Sequence, residues 1–214
     1  MQHLKIFIEL TRLNKPIGYM LLFWPCAWGL AYAHSFKQDT ILFLQYIILF
    51  FLGSVLMRSA GCVFNDIADK DFDKKVKRTK NRPIASGRIT IKKSLAYVLC
   101  LCILAFLILI QFNSLTIILG MSSMILAFSY PFMKRITYWP QLFLGITFNW
   151  GIVMAWASLS NNLSLEIFFL YLAAIFWTLG YKTIYGAQDM SDDEIIGVKS
   201  TAIKFKKNMK LFVI

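Results

Sequence analysis

Apolar residues along the chain fall into six blocks, at about 16–35, 41–64, 94–112, 115–133, 140–160 and 164–186, separated by short polar or charged stretches. Each block can cross about 30 Å of hydrocarbon as a helix rising about 1.5 Å per residue. A spanning β-strand would alternate apolar and polar residues over about ten positions, whereas these blocks are continuously apolar. Pro16 and Pro140 stand where helices can begin. Pro25 and Pro131 fall inside blocks and are expected to kink them, which membrane bundles tolerate. The pattern predicts an all-α, polytopic transmembrane helical bundle of about six spans, with residues 1–214 as a single transmembrane domain.

Composition agrees with that reading. Hydrophobic residues make up 58% of the 214 positions, charged residues 16%, and the mean hydropathy is +0.60. A soluble domain carries about 25% charged residues, so an ordinary soluble enzyme, a disordered tail and a disulfide-stapled secreted module are excluded. The formal charge of +12 would suit nucleic acid, but the lysines lie in loops between apolar blocks. A membrane surface accounts for them better, and no nucleic-acid partner is expected. Twenty Lys/Arg flank alternate block ends: Lys5, Arg12 and Lys15, ten within 70–93, Lys134 and Arg135, and five from Lys199 to Lys210. The intervening turns carry only Lys37. That asymmetry predicts cytoplasmic termini and long loops, with the short turns outside.

The four cysteines, Cys26, Cys62, Cys100 and Cys102, lie in or at the ends of apolar blocks and are expected as buried thiols. Cys100 and Cys102 point away from each other on a helix, which leaves neither a redox pair nor a zinc site. No cleavable signal is expected, because the first block is too long for an h-region and lacks a small-x-small site.

The acidic residues are the informative ones. Eight of eleven sit in two clusters: Asp66, Asp69, Asp71 and Asp73, then Asp189, Asp192, Asp193 and Glu194. Each cluster ends a span on the same side, so topology alone lets the two meet. Each contains D-x-x-x-D, Asp69 with Asp73 and Asp189 with Asp193, and positions i and i+4 share a helix face. Like charges so placed repel, and a cation should offset them. Hard oxygen donors suit Mg²⁺, which binds one or two carboxylates and completes its shell with water and substrate phosphates. Asn65 adds an amide oxygen. The plain alternative is a solvated acidic helix end balanced by nearby lysines.

Between the first cluster and the third block, Arg82 and Arg88 offer forked, always-charged donors that suit a diphosphate. The loop lysines beside them read as ordinary positive-inside charge. Arg58 lies inside the second block, where a cation is costly enough to imply a partner or a function. If the helix continues, Arg58, Asn65, Asp69 and Asp73 share one stripe. Snorkelling of Arg58 to the interface is the alternative.

At these residues the sequence resembles the UbiA family of membrane prenyltransferases. Asn65-Asp66-Ile67-Ala68-Asp69-Lys70-Asp71-Phe72-Asp73 is similar to the family's first aspartate motif, and Arg82-Pro83-Ile84-Ala85-Ser86-Gly87-Arg88 fits the stretch C-terminal to that motif. Tyr185-Gly186-Ala187-Gln188-Asp189-Met190-Ser191-Asp192-Asp193 looks like the second motif, continued by Gly197-Val198-Lys199-Ser200-Thr201-Ala202. Leu13-Asn14-Lys15-Pro16-Ile17-Gly18 and Tyr130-Pro131-Phe132-Met133-Lys134-Arg135 resemble the ubiquinone-pathway branch that prenylates 4-hydroxybenzoate.

The resemblance implies a bundle of about nine spans around a central cavity, with a lateral opening for a polyprenyl tail amid membrane lipid. It implies a multi-pass protein of the bacterial or mitochondrial inner membrane. The activity implied is Mg²⁺-dependent transfer of a polyprenyl group from polyprenyl diphosphate to carbon 3 of 4-hydroxybenzoate. By carry-over, Asn65, Asp69, Asp73, Asp189 and Asp193 hold the metal and the diphosphate. Arg135 serves the diphosphate or the aromatic carboxylate, and with the four aspartates it completes the implied catalytic set. Arg58, Asn65, Arg82 and Arg88 are the implied substrate-binding residues. An apolar cavity would then keep water from the allylic cation, and aromatic ring faces could shield it.

The chain also departs from the family pattern. It ends after about six spans, Lys182 stands where relatives of this branch usually carry an acid, and Gly186 where Ala is usual. These departures predict a C-terminally incomplete domain with little transferase activity alone: an inactive truncated remnant, or half of a split enzyme partnered by a separate C-terminal fragment. A competing function from another class is a divalent-cation transporter. That reading predicts carboxylates near mid-membrane, whereas these lie at the cytoplasmic edge beside arginines.

Overall fold

The computed structural model describes residues 2–195 and 197–213, with the side chains of Gln2, Asp189, Ser191, Asp192 and Asp193 outside that description. All regular structure among the described residues is helical. An N-terminal helix, α1 (Gln2–Thr11), precedes α2 (Pro16–Lys37), α3 (Thr40–Ala68) and the single turn α4 (Lys70–Asp73). A loop leads to α5 (Ile91–Leu109), α6 (Ser114–Ile136), α7 (Pro140–Ser160) and α8 (Leu165–Gly186). A 3₁₀ turn (Ala187–Asp189), α9 (Met190–Ile195), α10 (Thr201–Lys204) and α11 (Met209–Val213) complete the order.

The boundaries have local causes. Pro16 and Pro140 occupy the first helical positions of α2 and α7, where the missing N–H costs nothing. Side chains of Asp39, Thr90, Asn113 and Ser164 accept from backbone N–H groups in the first turns of α3, α5, α6 and α8. Gln38 and Asn161 end α2 and α7 in the left-handed conformation that stops a helix. Among the described residues five helices, α3 and α5 to α8, are long and apolar enough to cross a membrane. The expected sixth span, α2, has the length at 22 residues, but its apolar run is diluted by Pro, Gly, Trp and Tyr.

α2 lies between α3 and α7, α5 packs on α3, and α6 and α8 pack on α7. Small residues permit the closest approach: a Cβ added at Gly29 of α2 would stand 2.3 Å from the Ile152 carbonyl oxygen of α7. α5 and α6, though consecutive, hardly meet along their lengths, and a cavity opens between them and α3.

Three features differ from the sequence expectation. Residues 2–11 form a helix that the block pattern does not mark, because Ile6 and Leu10 lie one turn apart and bury against Ala60 and Val63 of α3. Cys100 is exposed on the outer face of α5 instead of buried, while Cys26 and Cys62 are buried. The helix through the first acidic cluster breaks at Asp69, which has φ −96° and ψ 5°. Its N–H still bonds to the Asn65 carbonyl at 2.9 Å, and the Asp73 N–H to the Asp69 carbonyl at 2.8 Å, so the chain runs on with little deviation.

Candidate active site

The C-terminal end of α3 gathers three buried carboxylates. Asp66, Asp69 and Asp73 are 2%, 2% and 6% exposed. Each is neutralised by a cation from elsewhere in the chain. Asp66 accepts from Arg12 Nη2 at 2.5 Å and from Arg82 Nη1 at 3.2 Å. The same Arg82 nitrogen donates to Asp73 at 2.9 Å, so Arg82 bridges two acids. Asp69 accepts from Asn65 Nδ2 at 3.1 Å and ion-pairs with Lys134 and, at 3.4 Å, with Arg135. Arg135 also donates to the Ala68 carbonyl at 2.6 Å and lies 4.7 Å over the Phe72 ring, which caps the open end of α3. Asp71, in contrast, is exposed and among the described residues pairs only with Lys74.

The loop after α4 is anchored rather than draped. Pro83 and Ile84 are buried, Thr79 Oγ1 donates to the Asp73 carbonyl at 3.0 Å, and Gly87 turns the chain at φ +78°. Arg88 makes a two-pronged pair with Glu9 of α1, at 2.9 and 2.6 Å, and donates to the Asn81 carbonyl. Those hydrogen bonds to Glu9 raise the Arg88 pKa, and Arg88 does not line the cavity. For Arg12, burial works most strongly against the charge, but Asp66, Cys62 and Asp73 together outweigh it and the guanidinium is held above its usual value.

The second motif follows α8 through the 3₁₀ turn and α9, and the side chains of Asp189 and Asp193 lie outside the described residues. The backbone beyond it is fixed. Lys199 N–H donates to the Lys134 carbonyl at 2.9 Å, Thr201 N–H to Gln141 Oε1 at 3.0 Å, and the Thr183 and Thr201 hydroxyls meet at 2.7 Å. This segment is thereby tied to the end of α6, whose Lys134 holds Asp69.

From this end a cavity of about 550 Å³ runs inward among α2, α3, α5, α6, α7 and α8. Its polar members include Arg12, Arg58, Asn65, Tyr130 and Lys182, with the hydroxyls of Ser54, Ser123 and Thr147; its deeper wall is Phe50, Phe106, Phe112 and other apolar side chains. Arg58 reaches the cavity because Gly18 makes room, since a Cβ there would stand 3.0 Å from Arg58 Nε. Of the residues singled out in the sequence, Arg58 and Asn65 line the cavity, Asn65, Asp69 and Arg135 meet at its rim, and Asp73 with Arg82 lies behind them.

Asp66, Arg12 and Lys134 hold the rim together, yet sequence reasoning assigned none of them a site role. Asp66 and Asp73 are seven apart on one helix face, which was the available signal for Asp66. Arg12 carried none beyond its charge.

The amide of Asn65 and the carboxylates of Asp69 and Asp73 on successive turns form an all-oxygen donor set, which fits Mg²⁺. Among the described residues no three acids or other ligating side chains already converge on one point. A metal here would therefore draw further ligands from water, substrate phosphate or the second motif.

Residues 22–214 match the UbiA prenyltransferase family. The chain is 48% identical over 209 residues to a 4-hydroxybenzoate polyprenyltransferase, mitochondrial, of Caenorhabditis elegans, covering 97% of this chain and 58% of that protein. It thus spans a little over half the length of this curated relative. Among solved structures, a UbiA homologue from Aeropyrum pernix K1 in its apo state superposes with a TM-score of 0.74 at 27% identity, over 90% of this chain and 72% of that one. A UbiA homologue from Archaeoglobus fulgidus bound to DMAPP and Mg²⁺ shares the fold, with a TM-score of 0.69 at 15% identity over 93% of this chain and 69% of the other. With both aspartate-motif segments brought to one end of a helical bundle and the match running along nine-tenths of the sequence, the chain belongs to the UbiA prenyltransferase family.

Proposed function

We propose that this protein transfers a polyprenyl group from polyprenyl diphosphate to carbon 3 of 4-hydroxybenzoate, with Mg²⁺, in ubiquinone biosynthesis in a bacterial or mitochondrial inner membrane. One observation carries the reading: a rim of buried carboxylates and basic side chains opens onto an apolar cavity of about 550 Å³. A diphosphate head and a hydrocarbon tail ask for that pairing. The position of Asp66, Asp69 and Asp73 at the helix end, each matched by a cation, speaks against a mid-membrane cation pathway.

In this reading Asn65, Asp69 and Asp73, with Asp189 and Asp193 from the second motif, hold the metal. A Mg²⁺ held by those residues would supply Lewis-acid neutralisation of the charge developing on the departing diphosphate. Lys134 and Arg135 stand at the rim to receive its oxygens. The allylic C–O bond breaks, diphosphate leaves with the bonding pair, and the ring carbon ortho to the phenol forms the new C–C bond. The ring then loses its proton. The apolar wall excludes water from the allylic cation, and Arg58 faces the acceptor. Arg82 acts through Asp66 and Asp73 as a positioning residue, and Arg88 braces the loop through Glu9.

The test supplies the protein, in membranes lacking the endogenous enzyme, with 4-hydroxybenzoate, a polyprenyl diphosphate and Mg²⁺. The expected product is 3-polyprenyl-4-hydroxybenzoate, lost on chelation with EDTA. Mg²⁺-dependent binding of the donor without any aromatic acceptor being prenylated would overturn the assignment of 4-hydroxybenzoate.

A further inference from the structure

Three cations line the cavity, and they are not equivalent. Arg12 is neutralised by Asp66. Arg58 and Lys182, from α3 and α8, make no ion pair among the described residues, although each sits within a membrane-spanning helix. Both line the same cavity. Arg58 Nε is buried without a hydrogen-bond partner. What they have instead is aromatic: Arg58 stands 5.5 Å from the Phe148 ring centroid and Lys182 5.4 Å from that of Tyr181. A cation over a ring recovers only a small part of what desolvating an ion costs. Every basic side chain at the rim, in contrast, has its carboxylate. Two positive charges facing one low-dielectric cavity, with no carboxylate partner among the described residues, are a site for an anion.

We propose that Lys182 joins Arg58 in an anion-binding subsite within the cavity, and that Lys182 is a specificity-determining residue for aromatic acceptors carrying a carboxylate. The inference rests on the proposed transferase reading for the identity of the acceptor, but not for the existence of the subsite. The ligand chemistry is a small aromatic monoanion. Its carboxylate supplies the charge that the other described residues do not bring to Arg58 and Lys182, and its ring lies against the apolar wall. A neutral analogue would leave both cations unpaired, which is the larger penalty.

The experiment measures equilibrium binding of 4-hydroxybenzoate and of its neutral analogue 4-hydroxybenzamide to the full chain in nanodiscs. Wild type, Lys182→Met and Lys182→Arg are compared. Lys182→Met is expected to weaken 4-hydroxybenzoate binding about tenfold or more, as for loss of a charged hydrogen bond, and to leave the amide unchanged. Lys182→Arg is expected to keep the preference for the acid. Equal weakening of acid and amide would assign Lys182 a packing role, and unchanged acid binding in Lys182→Met would remove it from the site; either result overturns the proposal. Prenyl transfer is scored separately. Acid binding that depends on Lys182 but yields no prenylated product would refute the transferase reading and leave the subsite standing.

Discussion

At the scale of the residue, Asp69 and Asp71 make the sharpest contrast. They are two positions apart in one acidic run, yet the Asp69 side chain is 3% exposed and held by Lys134, while that of Asp71 is 86% exposed. Asp69→Asn is expected to lower Mg²⁺-dependent binding of inorganic pyrophosphate on the order of a hundredfold, as for loss of a key electrostatic group. Asp71→Asn should leave it nearly unchanged, since an exposed pair contributes little. Isothermal titration on both variants checks this, and equal losses would indicate a diffuse acidic surface. The 3.6-residue period made this difference legible without coordinates, because Asp69 and Asp73 share a stripe that Asp71 leaves. The use of Arg82 was not legible. Its forked geometry suits a diphosphate, but the fold turns it back onto Asp66 and Asp73, a long-range pairing that spacing does not encode. Nor could spacing show that Lys134, and not only its neighbour Arg135, lies on Asp69.

Among the elements, the apolar blocks located the six long helices to within a few residues, because Pro16, Pro140 and the capping side chains punctuate the chain where hydropathy changes. The short helix α1 escaped, since it owes its form to what it packs against. Helix-to-helix distance also escaped, since it depends on which glycine faces which neighbour. Gly29 and Gly180 both sit inside long helices. A Cβ at Gly29 would collide with the α7 backbone, whereas one at Gly180 meets nothing within 4 Å. Gly29→Ala should therefore force α2 and α7 apart and destabilise the bundle by about 1–3 kcal/mol, as for an overpacked core. Gly180→Ala should be neutral or stabilising by up to about 1 kcal/mol, the helix-propensity gain. Thermal unfolding of both variants in the same detergent measures the difference, and matched melting temperatures would show that the α2–α7 contact is not tight.

For the whole molecule, the decisive quantity is the distribution of charge between the two ends of the bundle. One end collects α1, the loop after α4, the α6–α7 turn and the segment from α9 onward, joined by Arg12–Asp66, Lys134–Asp69 and the Lys199–Lys134 backbone bond. The other end holds the turns 38–39, 110–113 and 161–164, and Asn113 Nδ2 ties two of them by donating to the carbonyls of Ala157 and Ser158 at 2.8 and 3.0 Å. Twenty Lys and Arg flank the first end and one the second. Each basic residue near an anionic cytoplasmic leaflet is worth about 1 kcal/mol, so the bias exceeds any plausible counter-effect even if only half the residues lie close enough to count. The site end should face the cytoplasm. The check places single cysteines at Lys75, Lys199 and Lys37 in a background whose four native cysteines are alanine, then adds a membrane-impermeant thiol reagent to sealed cells. Labelling from outside is expected at position 37 alone, with 75 and 199 reacting only after the membrane is opened. Labelling of 75 and 199 from opposite sides would separate the two motif segments by a membrane, and the candidate site, which needs them together, would not exist.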